Sequence, residues 1–253
     1  MYRPRLIPTL QLNGNHLVKS KNFKNYNYIG DPINSVRIFN EMLADEIIFM
    51  DINASREKRT IDLTLIKNIA EEANMPFSVG GGIQSIDTIK ELLANGAEKV
   101  ILGNVVLNNP SFITKAVEEF GASTIAVCLD VKKKWFEGYK IYDHVRSITT
   151  PINPLEIAIS LEKIGVGEII IQSVDKDGMM SGYDLELINS IASHLHIPIV
   201  ALGGAGSVED MKKLLDQTVV SGLAAGSMFI YKDRMQGVLI NYPEPLEKHR
   251  LFQ

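Results

Sequence analysis

A single (βα)8 barrel of the TIM type, an α/β fold, is what this sequence predicts, and three observations carry the prediction. Short apolar, β-branched runs alternate eight times with longer segments of helical periodicity. The chain has 253 residues, the usual size for eight such units. The second half also repeats the first. GGIQSIDTIKELL (81–93) and GGAGSVEDMKKLL (203–215) share Gly-Gly, Ser, an acidic position, Lys and Leu-Leu at an offset of 203 − 81 = 122, and EIIF (46–49) and EIII (168–171) keep that offset. Two half-barrels, about 1–122 and 123–253, then close around one core with no linker. An open doubly wound sheet expects G-x-G-x-x-G after its first strand, where this chain reads QLNGNH (11–16).

Taken in order, the strands are RLIPTL (5–10), EIIFMD (46–51), PFSVGG (76–81), KVILGN (99–104), TIAVCLD (124–130), EIIIQS (168–173), PIVALGG (198–204) and VSGLAAG (220–226). Helices are expected over 32–43, 60–72, 86–94, 110–120, 154–164, 185–194, 208–215 and 231–239. Asp31 before Pro32 supplies a capping oxygen and a preset φ, and 207–210 reads as a capping box. Two stretches, 12–30 and 131–150, exceed ordinary βα turns and follow strand C-termini, where barrel chemistry sits. Lys19, Lys21 and Lys24 make the first of them basic, either a solvated loop or a mobile lid over a phosphorylated ligand.

Composition removes several classes of function. Lys and Arg number 26 against 30 Asp and Glu, so nothing attracts nucleic acid or an anionic membrane globally. No apolar run reaches the roughly 18 residues of a membrane span. Cys128 is the one cysteine and has no partner for a disulfide or zinc knuckle, and a cytoplasmic location is expected. The histidines at 16, 144, 194, 196 and 249 lack metal-ligand spacing, and no nucleophile elbow, Walker-type loop or H-E-x-x-H is present. Neither metal nor cofactor is expected. His194 and His196 precede Pro198 and suit the carbonyls at a helix end.

The chemistry is expected at the two barrel ends. Glycines after strands 3 and 7 let backbone amides approach a ligand, which suggests two phosphate cradles: Gly82 with Gly103 and Asn104, and Gly204 with Ala225, Gly226 and Ser227, bordered by Asp177 and Gly178. Tight turns alone would also use such glycines. Two cradles imply a ligand phosphorylated at both ends, or one with two phosphate-bearing moieties. Asp51, Asp130 and Asp175 close strands or follow them, placed for acid–base work or simply for capping loops. Aligning the halves puts Gln11 opposite Asp130, and an amide cannot exchange a proton at neutral pH. At the other end Arg5, Glu46, Lys99 and Glu168 begin strands 1, 2, 4 and 6, and they either face solvent or converge as a ring of two cations and two anions.

These residues, with GDPI (30–33), DINASREKR (51–59), SVGGGI (78–83) and SVDKDGMMSGYD (173–184), resemble the cyclase subunit of imidazole glycerol phosphate synthase over essentially the full length. The resemblance implies a barrel whose floor admits ammonia from a glutaminase subunit docked at the N-terminal face. It implies that Arg5, Glu46, Lys99 and Glu168 are the gate, that Glu98 faces the glutaminase, and that Lys19 stands close to the strand 1 member of a catalytic aspartate pair. One of those aspartates is Asp130, and Gln11 replaces the other. Gly103-Asn104 replaces a usual Asn-Thr pair, and Leu202 replaces a polar residue. With the ending GVLINYPEP (237–245), the pattern resembles a divergent branch associated with surface-polysaccharide biosynthesis. There ammonia is supplied to a third protein that amidates an acetamido sugar. The rival expectations are a working cyclase of histidine biosynthesis and a non-catalytic scaffold that activates its glutaminase.

Overall fold

The eight apolar runs are β-strands, all parallel, and they close into a barrel in the computed structural model, which describes residues 3–232 and 237–252. In chain order the elements are β1 (Arg5–Asn13), β2 (His16–Lys21), β3 (Lys24–Gly30), α1 (Pro32–Glu41), β4 (Ile47–Asp51), α2 (Leu63–Glu72), β5 (Phe77–Gly80), α3 (Ile86–Ala94), β6 (Lys99–Leu102), α4 (Val105–Asn108) and α5 (Pro110–Phe120). Then follow β7 (Ile125–Lys134), β8 (Gly138–Asp143), β9 (Ile148–Thr149), α6 (Pro154–Ile164), β10 (Glu168–Ser173), α7 (Leu185–Ala192), β11 (Ile199–Leu202), α8 (Val208–Leu215), β12 (Gly222–Ala225), α9 (Ser227–Ile230) and α10 (Pro245–Leu251). The barrel runs β1, β4, β5, β6, β7, β10, β11, β12, and β12 returns to β1 with Arg5 opposite Gly222. Among the described residues no helix is long and apolar enough to cross a membrane.

Side chains alternate across each strand. In β1, Leu6, Leu10 and Leu12 pack outward into the layer beneath the helices. Ile7 instead packs on the axis with Ile48, Ile101, Ala126, Cys128, Ile170, Val200, Leu202 and Ala224. Both faces are buried, so the strands read as continuous apolar runs. A Cβ at Gly222 would stand 2.8 Å from Ile7 Cδ1 and 2.9 Å from Val200 Cγ2, so a glycine there lets those side chains fill the axis.

The 122-residue offset reappears in three dimensions. Helices start at 32, 63, 86 and 105 and again at 154, 185, 208 and 227, four pairs each differing by 122. Caps repeat with them: Asp31 with Asn153, Asp62 with Asp184, and Ser85 with Ser207 each accept a first-turn amide through a side-chain oxygen. Gln11 pairs with Met50, and Asp130 pairs with Gln172, where 50 + 122 = 172, so Gln11 and Asp130 occupy matching places in the register.

Several expectations are corrected. Residues 12–30 and 131–150 are not loops: β1 folds back into β2 and β3, and β7 into β8 and β9, all antiparallel. Gly14 at φ +58° and Gly138 at φ +73° make the turns. The helix expected from 60 begins at Leu63 because Asp62 caps it. At the ends of the helix expected over 231–239, Tyr231 instead bridges Val238 antiparallel, and 233–236 lie outside the described residues. His194 meets a helix carbonyl as expected, through Nδ1 and Ser190 O at 3.1 Å, but His196 Nδ1 faces Glu162 at 3.9 Å instead.

Candidate functional site

At the N-terminal end Arg5, Glu46, Lys99 and Glu168 converge on one another. Arg5 bonds Glu46 and Glu168 through separate guanidinium nitrogens. Lys99 Nζ lies 3.2 Å from Glu168 and 3.8 Å from Glu46, and Ser78 Oγ donates to Glu46 at 2.9 Å. The carboxylate side chains are 5% and 8% exposed, and each meets two cations. Unpaired, each would cost several kcal/mol in desolvation. Glu98, next to Lys99, is exposed. Ile7, Ile48, Ile101 and Ile170 line the axis beyond the ring. Burial, with the charge of Asp130 adding to it, pushes the Cys128 thiol well up, so it stays neutral and unreactive.

The C-terminal ends enclose a cavity of about 250 Å³, lined by Gln11, Lys19, Asp51, Asp130 and both sets of expected cradle residues, while Asp175, Lys21 and Lys24 lie outside it. On its first side the backbone turns sharply at Gly81 (φ +134°) and Gly82 (φ +67°), and a Cβ on Gly82 would fall 1.8 Å from Arg59 O. The loop beneath is organised by Asp51, which accepts the amides of Asn53 (3.2 Å) and Ala54 (3.1 Å) and pairs with Arg59. That hydrogen bond raises the Arg59 pKa further above its ordinary value. Asp51 therefore caps its loop. Asp175 is structural too, accepting the amide of Lys133 at 2.8 Å and so tying down the β7–β8 hairpin.

The second side is built alike. Gly204 (φ +109°) leaves room for Gly182 O, which would be 2.2 Å from a Cβ there, and α9 begins beside Gly226. Lys19 is 4% exposed and is not part of a mobile lid. Its ammonium pairs with Asp177 at 3.1 Å and would touch a Cβ on Gly226 at 3.2 Å, so it borders the turn expected to form the second cradle. Lys21 and Lys24 are exposed. Thr9 Oγ1 and Ser227 Oγ are buried without a hydrogen-bond partner among the described residues. Two such hydroxyls in one wall fit an oxygen-rich ligand.

Gln11 is tied into this network. Its Oε1 accepts the Ser20 amide at 3.1 Å, while Ser20 Oγ lies 3.1 Å from that oxygen and 3.0 Å from Asp177 Oδ2. A hydroxyl carries one hydrogen and serves one acceptor at a time, but the amide always points at Gln11, fixing its carbonyl. Across the mouth, Asp130 Oδ2 lies 2.9 Å from His144 Nδ1. The site therefore joins one carboxylate and one imidazole on one side, and an amide, a hydroxyl and a buried lysine–aspartate pair on the other.

A family model described as histidine biosynthesis protein matches residues 5–236. The chain is 41% identical over 253 residues, the full length of both, to a Leptospira interrogans protein provisionally named imidazole glycerol phosphate synthase subunit HisF. The chain belongs to the histidine biosynthesis protein family. Within it the chain is HisF-like. It is 40% identical over 254 residues (100% of this chain, 98% of the other) to a Vibrio vulnificus protein provisionally named imidazole glycerol phosphate synthase subunit hisF3. It is 39% identical over 232 residues (91% and 90%) to imidazole glycerol phosphate synthase subunit HisF of Lactococcus lactis subsp. cremoris.

In this HisF-like barrel, sequence reasoning misses Thr9, Ser20 and His144 at the mouth. Thr9 and Ser20 lie inside apolar or alternating runs with no motif of their own. His144 had a legible signal: a hairpin closing at Lys134 and Gly138 pairs Val131 with Ile141, which carries residue 144 back toward residue 130.

Proposed function

We propose that this chain is an ammonia-conducting, HisF-like barrel whose mouth has diverged from two-aspartate cyclisation. A glutaminase subunit docks at the N-terminal face, near Glu98. Ammonia passes the ring of Arg5, Glu46, Lys99 and Glu168 and moves along the apolar axis as the neutral molecule. It reaches an acceptor held by two phosphate cradles, Gly82 with Gly103 and Asn104, and Gly204 with Ala225, Gly226 and Ser227. Asp177 and Gly178 hold Lys19 and the β2 hairpin against the second cradle. The two halves, about 1–122 and 123–253, are a duplicated pair, as the repeated helix starts, caps and register support.

Gln11 carries the reading. It stands in the register place matching Asp130, its carbonyl is taken up by the Ser20 amide, and it has no proton to exchange. A positioned proton-transfer group contributes about 10²–10⁴-fold in rate, so cyclisation falls by that order while the cradles still bind. The further reading is a cytoplasmic paralogue that feeds amidation of a surface-polysaccharide sugar, with a third protein at the mouth. The numbered names of the Vibrio vulnificus relative, hisF3, and of a 40% identical Pseudomonas aeruginosa relative, hisF2, fit paralogues in those two organisms, beside the un-numbered HisF of Leptospira interrogans at 41%. Asp130, Lys19 and both cradles favour the rival reading, a working cyclase of histidine biosynthesis. Supplying the purified chain with the histidine-pathway ribonucleotide and ammonium salt separates them: turnover at least about 10²-fold below that of the Lactococcus lactis HisF assayed alongside supports divergence, and equal turnover contradicts it.

A further inference from the structure

We infer that His144, oriented by Asp130, is the proton-exchanging group of this mouth, so that a histidine–aspartate pair on one wall carries the proton transfer that is left once a facing carboxylate is lost. The inference rests on the mouth being the reacting end, as proposed above, and holds whichever acceptor is used.

Geometry carries it. His144 Nδ1 lies 2.9 Å from Asp130 Oδ2, and both residues line the cavity. A carboxylate only accepts, so Nδ1 is the nitrogen that bears the hydrogen. Nε2 then carries the lone pair, and it has no hydrogen-bond partner among the described residues. The turn bearing the imidazole is pinned from two further directions. Arg56, in the loop after β4, donates to His144 O through both Nε (2.9 Å) and Nη2, and to Ser147 Oγ at 3.2 Å. Asp143, the neighbouring residue, accepts from Asn104 Nδ2 at 2.8 Å and from Arg146 Nε at 2.6 Å. Burial pushes the Asp143 carboxyl up, but the Arg146 hydrogen bonds outweigh it and hold the group below its ordinary value, as an acceptor. Asn104 belongs to the first cradle, so that cradle and the imidazole are set by one network.

The step balances as follows. The lone pair of ammonia forms a bond to an electrophilic carbonyl-type carbon, and the C–O π electrons move to oxygen. The resulting ammonium nitrogen gives a proton to His144 Nε2, and the imidazolium so formed faces the Asp130 carboxylate, which stabilises it. The imidazolium returns the proton to the oxygen, which departs as water with the second nitrogen-bound hydrogen, leaving C=NH. No oxidant or reductant is needed.

The test uses the full chain, His144→Gln and Asp130→Ala. Long-range ¹H–¹⁵N NMR of the neutral imidazoles reads the tautomer directly. The expected result is Nδ1–H at His144 in the unsubstituted chain and a return toward the Nε2–H form in Asp130→Ala. A predominant Nε2–H form in the unsubstituted chain overturns the proposal, because no lone pair then faces the mouth. With the histidine-pathway ribonucleotide and ammonium salt, His144→Gln is expected to lower the residual kcat by about 10²-fold or more with KM retained. An unchanged kcat overturns the proton-exchanging role. Absence of any turnover in the unsubstituted chain counts against a cyclising mouth and leaves the tautomer to decide the His144 proposal, so the two readings fail separately.

Discussion

At the floor of the barrel, four charged side chains at the starts of four strands pair with one another in a closed ring, each carboxylate against two cations. At the mouth, glycine backbone lies open to the cavity, and Thr9 and Ser227 hold buried hydroxyls with no partner among the described residues. The same strands build both ends, and the alternation that points Arg5 and Ile7 at the axis also points Thr9 and Gln11 there. A charge-saturated end is hard to change one residue at a time, since removing one partner strands another in low dielectric. An end made of backbone and replaceable polar groups tolerates exchange. On the proposed reading, that contrast is how the ring and the two glycine turns persist while position 11 carries glutamine.

The largest effect should come from breaking the mouth through its backbone. Gly82→Ala places a methyl against Arg59 O in a left-handed conformation. It should cost about 2–5 kcal/mol, adding roughly 1–2 for the backbone and 1–3 for overpacking. Urea denaturation measures the loss, and inorganic phosphate titration should show the first cradle weakened and the second retained. Next, Glu168→Ala leaves Arg5 and Lys99 short of an anion at the floor. About 3 kcal/mol should be lost, with phosphate binding at the mouth unchanged, and a parallel loss of phosphate affinity would erase the contrast between the ends. Ser20→Ala, which frees Asp177 Oδ2 of its hydroxyl donor, should cost about 1 kcal/mol by the same denaturation. Arg56→Ala sits at an exposed clamp and should change stability by under about 1 kcal/mol, yet broaden the His144 NMR signals by freeing its turn.

Much of the architecture was legible because it is periodic. Apolar runs gave the strands, and the matched glycine pairs at 81 and 203 gave the offset that the helix starts later reproduced. The charged starts at Arg5, Glu46, Lys99 and Glu168 were visible, but whether they met depended on closure, which spacing alone does not fix. The hairpin after β1 leaves little strand signal because β3 is nearly all exposed and its KNYNYIG carries no apolar face. Burial of Lys19 was hidden for a related reason: its partner Asp177 is 158 positions away and reaches it only once β2 folds over the mouth. His144 has no metal-ligand spacing to mark it, and its contact with Asp130 depends on hairpin register.

The central claim is that the mouth lacks one proton-transfer group and otherwise retains its binding walls. Its most direct test is Gln11→Asp, assayed with the histidine-pathway ribonucleotide and ammonium salt beside the unsubstituted chain. The carboxylate would take the place of the amide beside Ser20, and turnover should rise at least about 10-fold, toward the 10²–10⁴ that such a group contributes. An unsubstituted chain that already matches the Lactococcus lactis HisF, or a Gln11→Asp variant that binds the ribonucleotide and turns it over no faster, would contradict the claim.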